Sequence, residues 1–404
     1  MTRTDARAAR EQADTPERLR AHLAGRQAEM VDLLIRLAKA ESPSTDASTQ
    51  RQVFECLAGP LVAAGMSTRW LAGRRTGGQM FASPQRPRAS RPFQLLVGHC
   101  DTVWPVGTVV EMPIVAEGDT VRGPGVFDMK AGLVQGIFAL AALHELGLEL
   151  DVAPVFFITS DEEIGSVESD RRIAELARRA CRALVLEPAL GLDGRIKTSR
   201  KGVGQFEVRV IGRSAHSGLA PEEGASAILE LASVIQRLHA LADPRRGITI
   251  NVGVIEGGLR PNVVAPASRA EVDVRVRSER DAREIDRAIR SLAATTPGTR
   301  LEIEGGIGRG PMEPTPRNQA LWRAAREEGR RLGIELIDGE SGGASDGNIT
   351  SCHTATLDGL GAVGDGAHAI NEFVYASKMV ERATLLALIL LLPTGAADTT
   401  AADT

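Results

Sequence analysis

The sequence predicts an α/β fold in which a main domain, built from two chain segments, is interrupted by a smaller inserted α+β domain. Before residue 199, apolar runs alternate with helical stretches, which is typical of a mixed sheet between layers of helices. From about 200 to 310, apolar and polar residues alternate instead, which is typical of a sheet with one wet face. Helical and apolar character then returns. The main domain is therefore expected over 1–199 and 311–404, and the inserted domain over 200–310.

The elements of the main domain follow from local signals. Residues 1–14 and 395–404 are polar and are expected to be disordered. Thr15-Pro16-Glu17 is typical of a helix start, and apolar spacing extends that helix to about Ala40. Apolar runs of strand length predict strands at 93–99, 153–159 and 182–186. Helices are expected near 129–146, 168–180 and 318–332, with a buried terminal helix over 383–393.

The inserted domain has its own pattern. The segments "QFEVRVI" (205–211) and "SRAEVDVRVR" (268–277) alternate cleanly between apolar and polar residues. Helical stretches at about 221–242 and 280–294 interleave with these strands. This order predicts an antiparallel sheet covered on one face by helices.

Composition excludes several classes of protein. The 404 residues carry a formal charge of −4, and 43% are hydrophobic and 25% charged, as in ordinary globular proteins. A near-neutral chain with 3% aromatic residues offers little to nucleic acid, so no such partner is expected. The charged N-terminus does not resemble a signal peptide, and the longest apolar run, 383–393, is far shorter than a membrane span of ~20 residues. Four scattered cysteines then predict reduced thiols in a cytoplasmic protein.

Histidines and carboxylates gather where the predicted strands end. His99 and Asp101 end the first strand and, two residues apart, project to one side. The motif "ITSDEEIGS" ends the second strand and "LVLEP" ends the third, while Gly-rich loops carry two further candidates. Sites in open α/β sheets form outside the carboxyl ends of the strands, so these side chains are expected to share one crevice. The candidates are His99, Asp101, Asp128, Asp161, Glu162, Glu163, Glu187 and His368.

Each candidate also has a simpler explanation: a solvated acidic turn, a strand terminator at Glu187-Pro188, or a helix cap at Asp128. Several carboxylates in one crevice would nevertheless repel, and no clustered arginines accompany them. A pair of divalent metal ions would offset that repulsion. Two histidines with three carboxylates suit zinc, with cobalt or manganese as alternatives. Of two adjacent glutamates, one can bind metal while its neighbour moves a proton.

Six motifs in order resemble the di-zinc peptidase family M20. They are "GHCDTV", "GPGVFDMKAG", "SDEEIGS", "LEP", "GRSAHSG" and "GDGAHA", and the resemblance covers residues 30–394. That family includes carboxypeptidase G-type glutamate carboxypeptidases, zinc aminoacylases and succinyl-diaminopimelate desuccinylase. The resemblance implies the metal ligands: His99 and Glu187 on one ion, Glu163 and His368 on the other, and Asp128 bridging.

The resemblance also implies roles beyond the metal ligands. Glu162 would be the general base and acid, and Asp101 would orient His99. The inserted region would be a lid and dimerisation domain, in which His216 reaches the partner subunit's site and stabilises the oxyanion. Cys100 departs from the family pattern. Strand alternation predicts that it faces away from the metals, and a metal-bound thiolate is the alternative.

Glu187 narrows the expected substrate, because family aminopeptidases and dipeptidases commonly have aspartate there. Glutamate resembles the branch that recognises a free carboxylate on the leaving amino acid. The expected substrate-binding residues are Arg309, Arg275, Asn262, Gly342 and Gly343, with Ser345 or Asp346 adding polar contacts. An exposed strand arginine is the simpler explanation of Arg275.

The expected function is cleavage of an N-acyl or N-aroyl amino acid, or of a folate-type glutamate conjugate, by a homodimer. The alternatives are an aminoacylase, a desuccinylase-like enzyme, a dipeptidase, and a metal-binding protein that has lost the chemistry.

Overall fold

The computed structural model describes residues 3–85 and 92–397. The chain divides into two compact units. Unit 1 comprises 1–198, 314–340 and 345–404, and unit 2 comprises 199–313 and 341–344.

The helices, in chain order, are α1 (Arg3–Ala24), α2 (Gln27–Lys39), α3 (Ala47–Ala63), α4 (Thr108–Glu111), α5 (Ala131–Glu145), α6 (Asp170–Ala177), α7 (Ala227–His239), α8 (Glu279–Arg290), α9 (Pro316–Arg331), α10 (Asp346–Ser351) and α11 (Ala376–Leu390). Short 3-10 turns lie at Pro221–Glu223 and Thr394–Ala397.

The strands are β1 (Met66–Leu71), β2 (Gln79–Pro84), β3 (Phe93–His99), β4 (Val115–Glu117), β5 (Thr120–Arg122), β6 (Ala153–Thr159), β7 (Ala180–Val185), β8 (Ile196–Arg200), β9 (Gly202–Ile211), β10 (Thr249–Gly257), β11 (Ala267–Val276), β12 (Arg300–Arg309), β13 (Asp338–Ser341), β14 (Ala355–Leu357), β15 (Gly364–Asp365) and β16 (Phe373–Tyr375).

Unit 1 is built on a six-stranded mixed sheet, which confirms the predicted fold class. The strand order is β1-β2-β6-β3-β7-β14. The strands β6, β3, β7 and β14 run parallel, whereas β1 and β2 pair antiparallel at one edge. Parallel strands buried on both faces are mostly apolar, as "APVFFIT" and "FQLLV" are, the second with one buried glutamine, Gln94. Their carboxyl ends therefore lie side by side at one edge of the sheet.

Helix α5 forms the centre of the unit 1 core. Its residues from Ala131 to Leu143 are all buried. Among the described residues, Val126–Glu145 is the one segment long and apolar enough to cross a membrane, but 94% of its most apolar window is buried inside the protein. A helix that is apolar all round and covered by protein is a core helix.

Unit 2 contains an antiparallel sheet in the order β10-β11-β9-β12. Along β9, the even-numbered residues from Gly202 to Val210 are buried and the odd-numbered residues are not, as the alternation predicts. Helices α7 and α8 pack on the apolar face and enclose a separate core.

The N-terminal prediction was wrong. Helix α1 begins at Arg3, so 3–14 are helical, and Pro16 lies inside the helix instead of at its start. Alanine, arginine, glutamate and glutamine dominate 6–13. These strong helix formers extend the helix on the N-terminal side of the proline. Residues 1–2 and 398–404, also expected to be disordered, lie outside the described residues, whereas 394–397 form a 3-10 turn.

Candidate metal centre

One histidine and three glutamates of the site lie at the ends of three parallel strands. His99 is the last residue of β3, which lies between β6 and β7 in the sheet. Glu162 and Glu163 follow the end of β6, and Glu187 follows the end of β7. Because neighbouring parallel strands end at the same edge, their side chains meet there.

Two overlapping groups of possible metal ligands result. Ligand atoms of His99, Asp128 and Glu163 lie within 4.8 Å of one another, and so do those of His99, Glu162 and Glu187. His99 Nε2 lies 3.2 Å from Asp128 Oδ1 and 3.3 Å from Glu187 Oε1. His99 therefore belongs to both groups, with carboxylates on each side of its ring nitrogen.

His368 completes the cluster from a turn late in the chain. Its Nε2 lies 3.1 Å from Glu163 Oε2 and 3.6 Å from Asp128 Oδ2. The Asp128 carboxylate thus turns one oxygen toward His99 and the other toward His368, which is the arrangement a bridging ligand needs. His368 has φ 60°, in the left-handed region that non-glycine residues seldom adopt. Such backbone strain is common where function requires a particular side-chain direction.

The charges of the cluster fit divalent cations. The hydrogen bond with Glu163 raises the pKa of His368 to about 9, although burial opposes it. Burial lowers the pKa of His99, but the carboxylates of Asp101, Asp128 and Glu187 outweigh it and leave that pKa well above its usual value. Burial raises the pKa of Glu163, and its Oε1 is buried without a hydrogen-bond partner among the described residues. An orphaned carboxylate oxygen beside imidazole nitrogens is a donor set that suits zinc.

Asp101 is buried beneath the cluster and holds the main chain of the two adjacent glutamates. Its carboxylate accepts the Ser44 hydroxyl at 2.6 Å and the N–H groups of Glu162 and Glu163 at 3.3 and 3.2 Å. His99 Nδ1 lies 3.0 Å from the main-chain oxygen of Asp101 and 3.4 Å from its Oδ1. The closer partner of the ring is therefore the carbonyl, whereas sequence reasoning expected the carboxylate.

Glu372 was missed by the sequence reasoning. It is fully buried, and its carboxylate accepts main-chain N–H groups from the loop that carries Asp128. The available signal was its place in "GDGAHAINEF", four residues after His368.

Cys100 is buried in the unit 1 core and belongs to neither ligand group among the described residues. Burial, with the nearby charge of Asp101, raises the pKa of its thiol far above the usual value, so the thiolate is disfavoured.

The main predicted substrate-binding residues lie in unit 2, whereas the histidines and carboxylates above lie in unit 1. These substrate-binding residues are Arg309, Arg275, Asn262, Gly342 and Gly343. In Arg275, Nε and Nη2 bind Asp273 at 2.8 and 2.9 Å, so its guanidinium fork is already engaged. Arg309 is half-buried at the end of β12. The main-chain oxygens of Asn262 and Gly343 accept hydrogen bonds, from Ser217 N–H at 3.1 Å and from Arg200 Nη1 at 3.1 Å.

The remaining candidate residues also belong partly to unit 2 and partly to unit 1. His216 is exposed in unit 2, and its Nδ1 accepts N–H bonds from Gly218 and Leu219 at 3.2 Å each. A neutral ring bonded in this way carries its proton on Nε2. Gly342 lies in the 341–344 segment of unit 2, with open space where a Cβ would stand. Ser345 and Asp346 are buried in unit 1, where Ser345 Oγ caps α10.

Carboxylates packed this closely repel one another unless cations or protons neutralise them, and Glu162 lies in the same group as His99 and Glu187. Such a cluster of imidazole and carboxylate donors suits a metal-dependent peptide or amide hydrolase. The chain matches Peptidase family M20/M25/M40 over residues 95–392 and belongs to that family. The resemblance found in the sequence is confirmed.

Known proteins similar to this chain agree with that placement. Carboxypeptidase G2 of Pseudomonas sp. (strain RS-16) is 26% identical over 307 residues, which cover 74% of this chain and 73% of that protein. Aminopeptidase PepT of Bacillus cereus has a similar fold, with a TM-score of 0.74 and 20% identity, covering 90% of this chain and 98% of that one. YXEP of Bacillus subtilis, described as a dinuclear metal binding peptidase, has a TM-score of 0.64 and 14% identity, covering 91% of this chain and 98% of that one.

Proposed function

We propose that this protein cleaves the amide bond between an acyl or aroyl group and a C-terminal amino acid, with glutamate as the preferred leaving residue. The observation that carries the proposal is the Asp128 carboxylate, which faces His99 with one oxygen and His368 with the other. The similarity to carboxypeptidase G2 supports the choice of substrate class.

The proposed ligands are His99 and Glu187 for one ion, Glu163 and His368 for the other, and Asp128 for both. Zinc suits this mixture of imidazole and carboxylate, and cobalt or manganese would be accepted by the same donors. Two such ions supply Lewis acidity at the scissile carbonyl and make a bound water easier to deprotonate.

Glu162 is the proposed general base and acid. It lies in one group with His99 and Glu187. An ion at this position would already have His99, Glu187 and Asp128 as its proposed ligands. Its neighbour Glu163 is instead engaged with His368. Glu162 would take the proton from the attacking water and deliver it to the leaving nitrogen as the C–N bond breaks.

Recognition of the substrate carboxylate is proposed for Arg309, which ends β12 in a Gly-rich segment. Arg275, whose fork binds Asp273, is the second candidate. Arginine binds a carboxylate through two parallel N–H bonds, which fixes the orientation of the leaving residue. Asn262, Gly342 and Gly343 are proposed to add main-chain and amide contacts. His216, with its proton on Nε2, is proposed to donate to the oxyanion in the partner subunit's site.

A homodimer through unit 2 is part of the proposal. The edge strand β10 is exposed over most of its length, and Ile255 is 63% exposed. Ile228, an exposed apolar residue of α7, lies near Gly257 at the end of β10, and Leu229 and Leu259 are also exposed apolar residues of unit 2. Two copies of β10 paired antiparallel would cover this patch. Ile255→Lys should yield monomers in sedimentation, and an unchanged dimer would exclude this interface. The four cysteines are free thiols, which supports a cytoplasmic location.

The test of the activity uses Glu162→Gln and a panel of N-acyl amino acids in which the acyl group and the amino acid vary independently. Folate-type and N-benzoyl glutamates belong in the panel, with a chelated sample as the control. The variant should retain two zinc ions while kcat falls by about 10²–10⁴-fold. Glu175→Gln, at an exposed site on α6, should leave kcat unchanged.

Near-normal turnover by metal-loaded Glu162→Gln would show that the proposed base is wrong. No cleavage of any substrate by protein that holds two ions per chain would favour the metal-binding alternative over the enzyme.

A further inference from the structure

Glu372 is a buried carboxylate whose partners all belong to the surroundings of the metal cluster. Its Oε1 accepts the N–H groups of Phe127 at 2.8 Å and Asp128 at 3.1 Å. Its Oε2 accepts the N–H of Gly125 at 2.9 Å and the indole N–H of Trp104 at 2.9 Å. Four donors therefore satisfy both oxygens of a side chain that is 0% exposed.

These bonds fix the loop before α5. Three of the four main-chain N–H groups from Gly125 to Asp128 point at one carboxylate, so the loop is wrapped around it. Gly125 has φ 71°, and a Cβ there would lie 2.6 Å from Thr102 Cγ2, so the turn requires glycine. The direction of the Asp128 side chain is set by this wrapped loop.

The same residue also ties the Asp128 loop to the His368 loop. Glu372 lies four residues after His368, and its own carbonyl accepts the N–H of Gly123 at 3.3 Å. The next residue, Phe373, begins β16, which pairs antiparallel with β5 at Arg122. The two loops are therefore joined by main-chain bonds on both sides of the Glu372 side chain.

Asp128 is sensitive to such positioning because it serves two partners at once. Its Oδ1 lies 3.2 Å from His99 Nε2, and its Oδ2 lies 3.6 Å from His368 Nε2. A rotation that improves one approach lengthens the other.

We propose that Glu372 is a positioning residue that holds the Gly125–Asp128 loop so that Asp128 can bridge two metal ions. This inference rests on the proposed metal centre. Glu372 touches neither ions nor substrate, and its effect passes through the main chain of Asp128.

The test compares Glu372→Gln with a matched control, Glu230→Gln, in the full-length protein. Glu230 is also fully buried and accepts the N–H groups of Thr295 and Thr296 and the Thr295 hydroxyl, but it lies in unit 2. Zinc affinity is measured by competition with a chromophoric chelator, and ligand geometry by the visible absorption of the Co²⁺ form. Glu372→Gln should bind zinc about 10–100-fold more weakly and change the Co²⁺ spectrum. Glu230→Gln should lower the Tm of the metal-free protein without either change.

Unaltered zinc affinity and an unaltered Co²⁺ spectrum in Glu372→Gln would overturn the proposal and leave Glu372 a purely structural residue. If Glu372→Gln does not fold, Trp104→Phe removes one donor and keeps the charge. It should weaken zinc binding several-fold, and wild-type affinity there would likewise overturn the proposal. Fewer than two ions in the unmodified protein would instead overturn the metal centre itself, whatever the variants do.

Discussion

Replacing Asp101 with asparagine would show whether this residue acts through the ring of His99 or through the main chain of the adjacent glutamates. The carboxylate accepts Ser44 O–H and Glu163 N–H on Oδ2, and Glu162 N–H on Oδ1. An asparagine oxygen in the Oδ2 position keeps the first two bonds. Its NH₂ group then faces the N–H of Glu162, which loses its acceptor in a buried place.

The magnitude follows from that lost acceptor. A buried N–H without a partner costs about 1–3 kcal/mol, and the free energy of unfolding should fall by that amount. His99 should keep its tautomer, because its Nδ1 lies closer to the Asp101 carbonyl than to the carboxylate. Zinc affinity should therefore fall only about tenfold, at the lower end of what loss of an outer partner costs. The fall in kcat at saturating zinc should be larger than this tenfold fall in affinity, because the main-chain N–H of Glu162 has lost its acceptor.

The assay measures zinc affinity by chelator competition and kcat at saturating zinc for the same preparation. Asp119→Asn is the matched control, since its carboxylate accepts the Ser377 N–H and hydroxyl at an exposed helix start. A loss of zinc affinity far beyond 100-fold, with kcat unchanged once zinc is saturating, would refute the reasoning. It would mean that Asp101 acts through His99 instead.

Three further predictions concern pH, a buried arginine and helix packing. Metal binding at the proposed centre requires a neutral His368 ring, whose pKa in the metal-free protein is raised to about 9. Zinc affinity should therefore rise with pH up to that value. An affinity that does not change with pH in calorimetric titration would contradict this prediction. Arg182→Met leaves the Gln94 oxygen and two C-terminal carbonyls without a donor and should cost about 3 kcal/mol in urea unfolding, whereas the exposed Arg171→Met should cost under ~0.5 kcal/mol. Gly132→Ala would place a Cβ 2.0 Å from a main-chain oxygen and should lower Tm, whereas Gly308→Ala enters open space and should not.

The sheet around the site was largely predictable because buried parallel strands consist mostly of apolar residues. The strands 93–99 and 153–159 were predicted to the residue, as β3 and β6. Apolar runs cannot show where a helix is broken, however. The stretch predicted as one helix from Thr15 to Ala40 is two, α1 and α2, separated at Gly25-Arg26.

Edge elements were missed for a different reason. The strands β10 and β12 border the unit 2 sheet and are exposed along much of their length, so their residues lack a clean alternation. The hairpin β1–β2 and helix α3 contain too many polar residues to stand out. Where burial is partial, tertiary contacts decide the secondary structure, and a single sequence does not record them.

The cluster of candidate ligands was predictable from strand ends, but its supports were not. Asp128 and His368 could be placed only by motif, since their loops carry no periodic pattern. Glu372 has an acidic side chain in a Gly-rich loop, which by itself indicates a solvated residue. Its importance arises from donors 244 to 268 residues away in the chain. Contacts of that range are fixed by the fold and leave no local signature.

The strand rule used for His99 also applies to Arg275. Residues two apart on a strand share a face, and this argument paired His99 with Asp101. The same argument pairs Asp273 with Arg275 on β11, where both nitrogens of the fork bind the aspartate. An arginine bound in this way would have to exchange one carboxylate for another in order to bind a substrate carboxylate. Arg309 has glycine at both flanking positions and no acid two residues before it on β12. Arg309 is the residue proposed above to bind the substrate carboxylate, and a rise in KM with little change in kcat for Arg309→Lys would support that proposal.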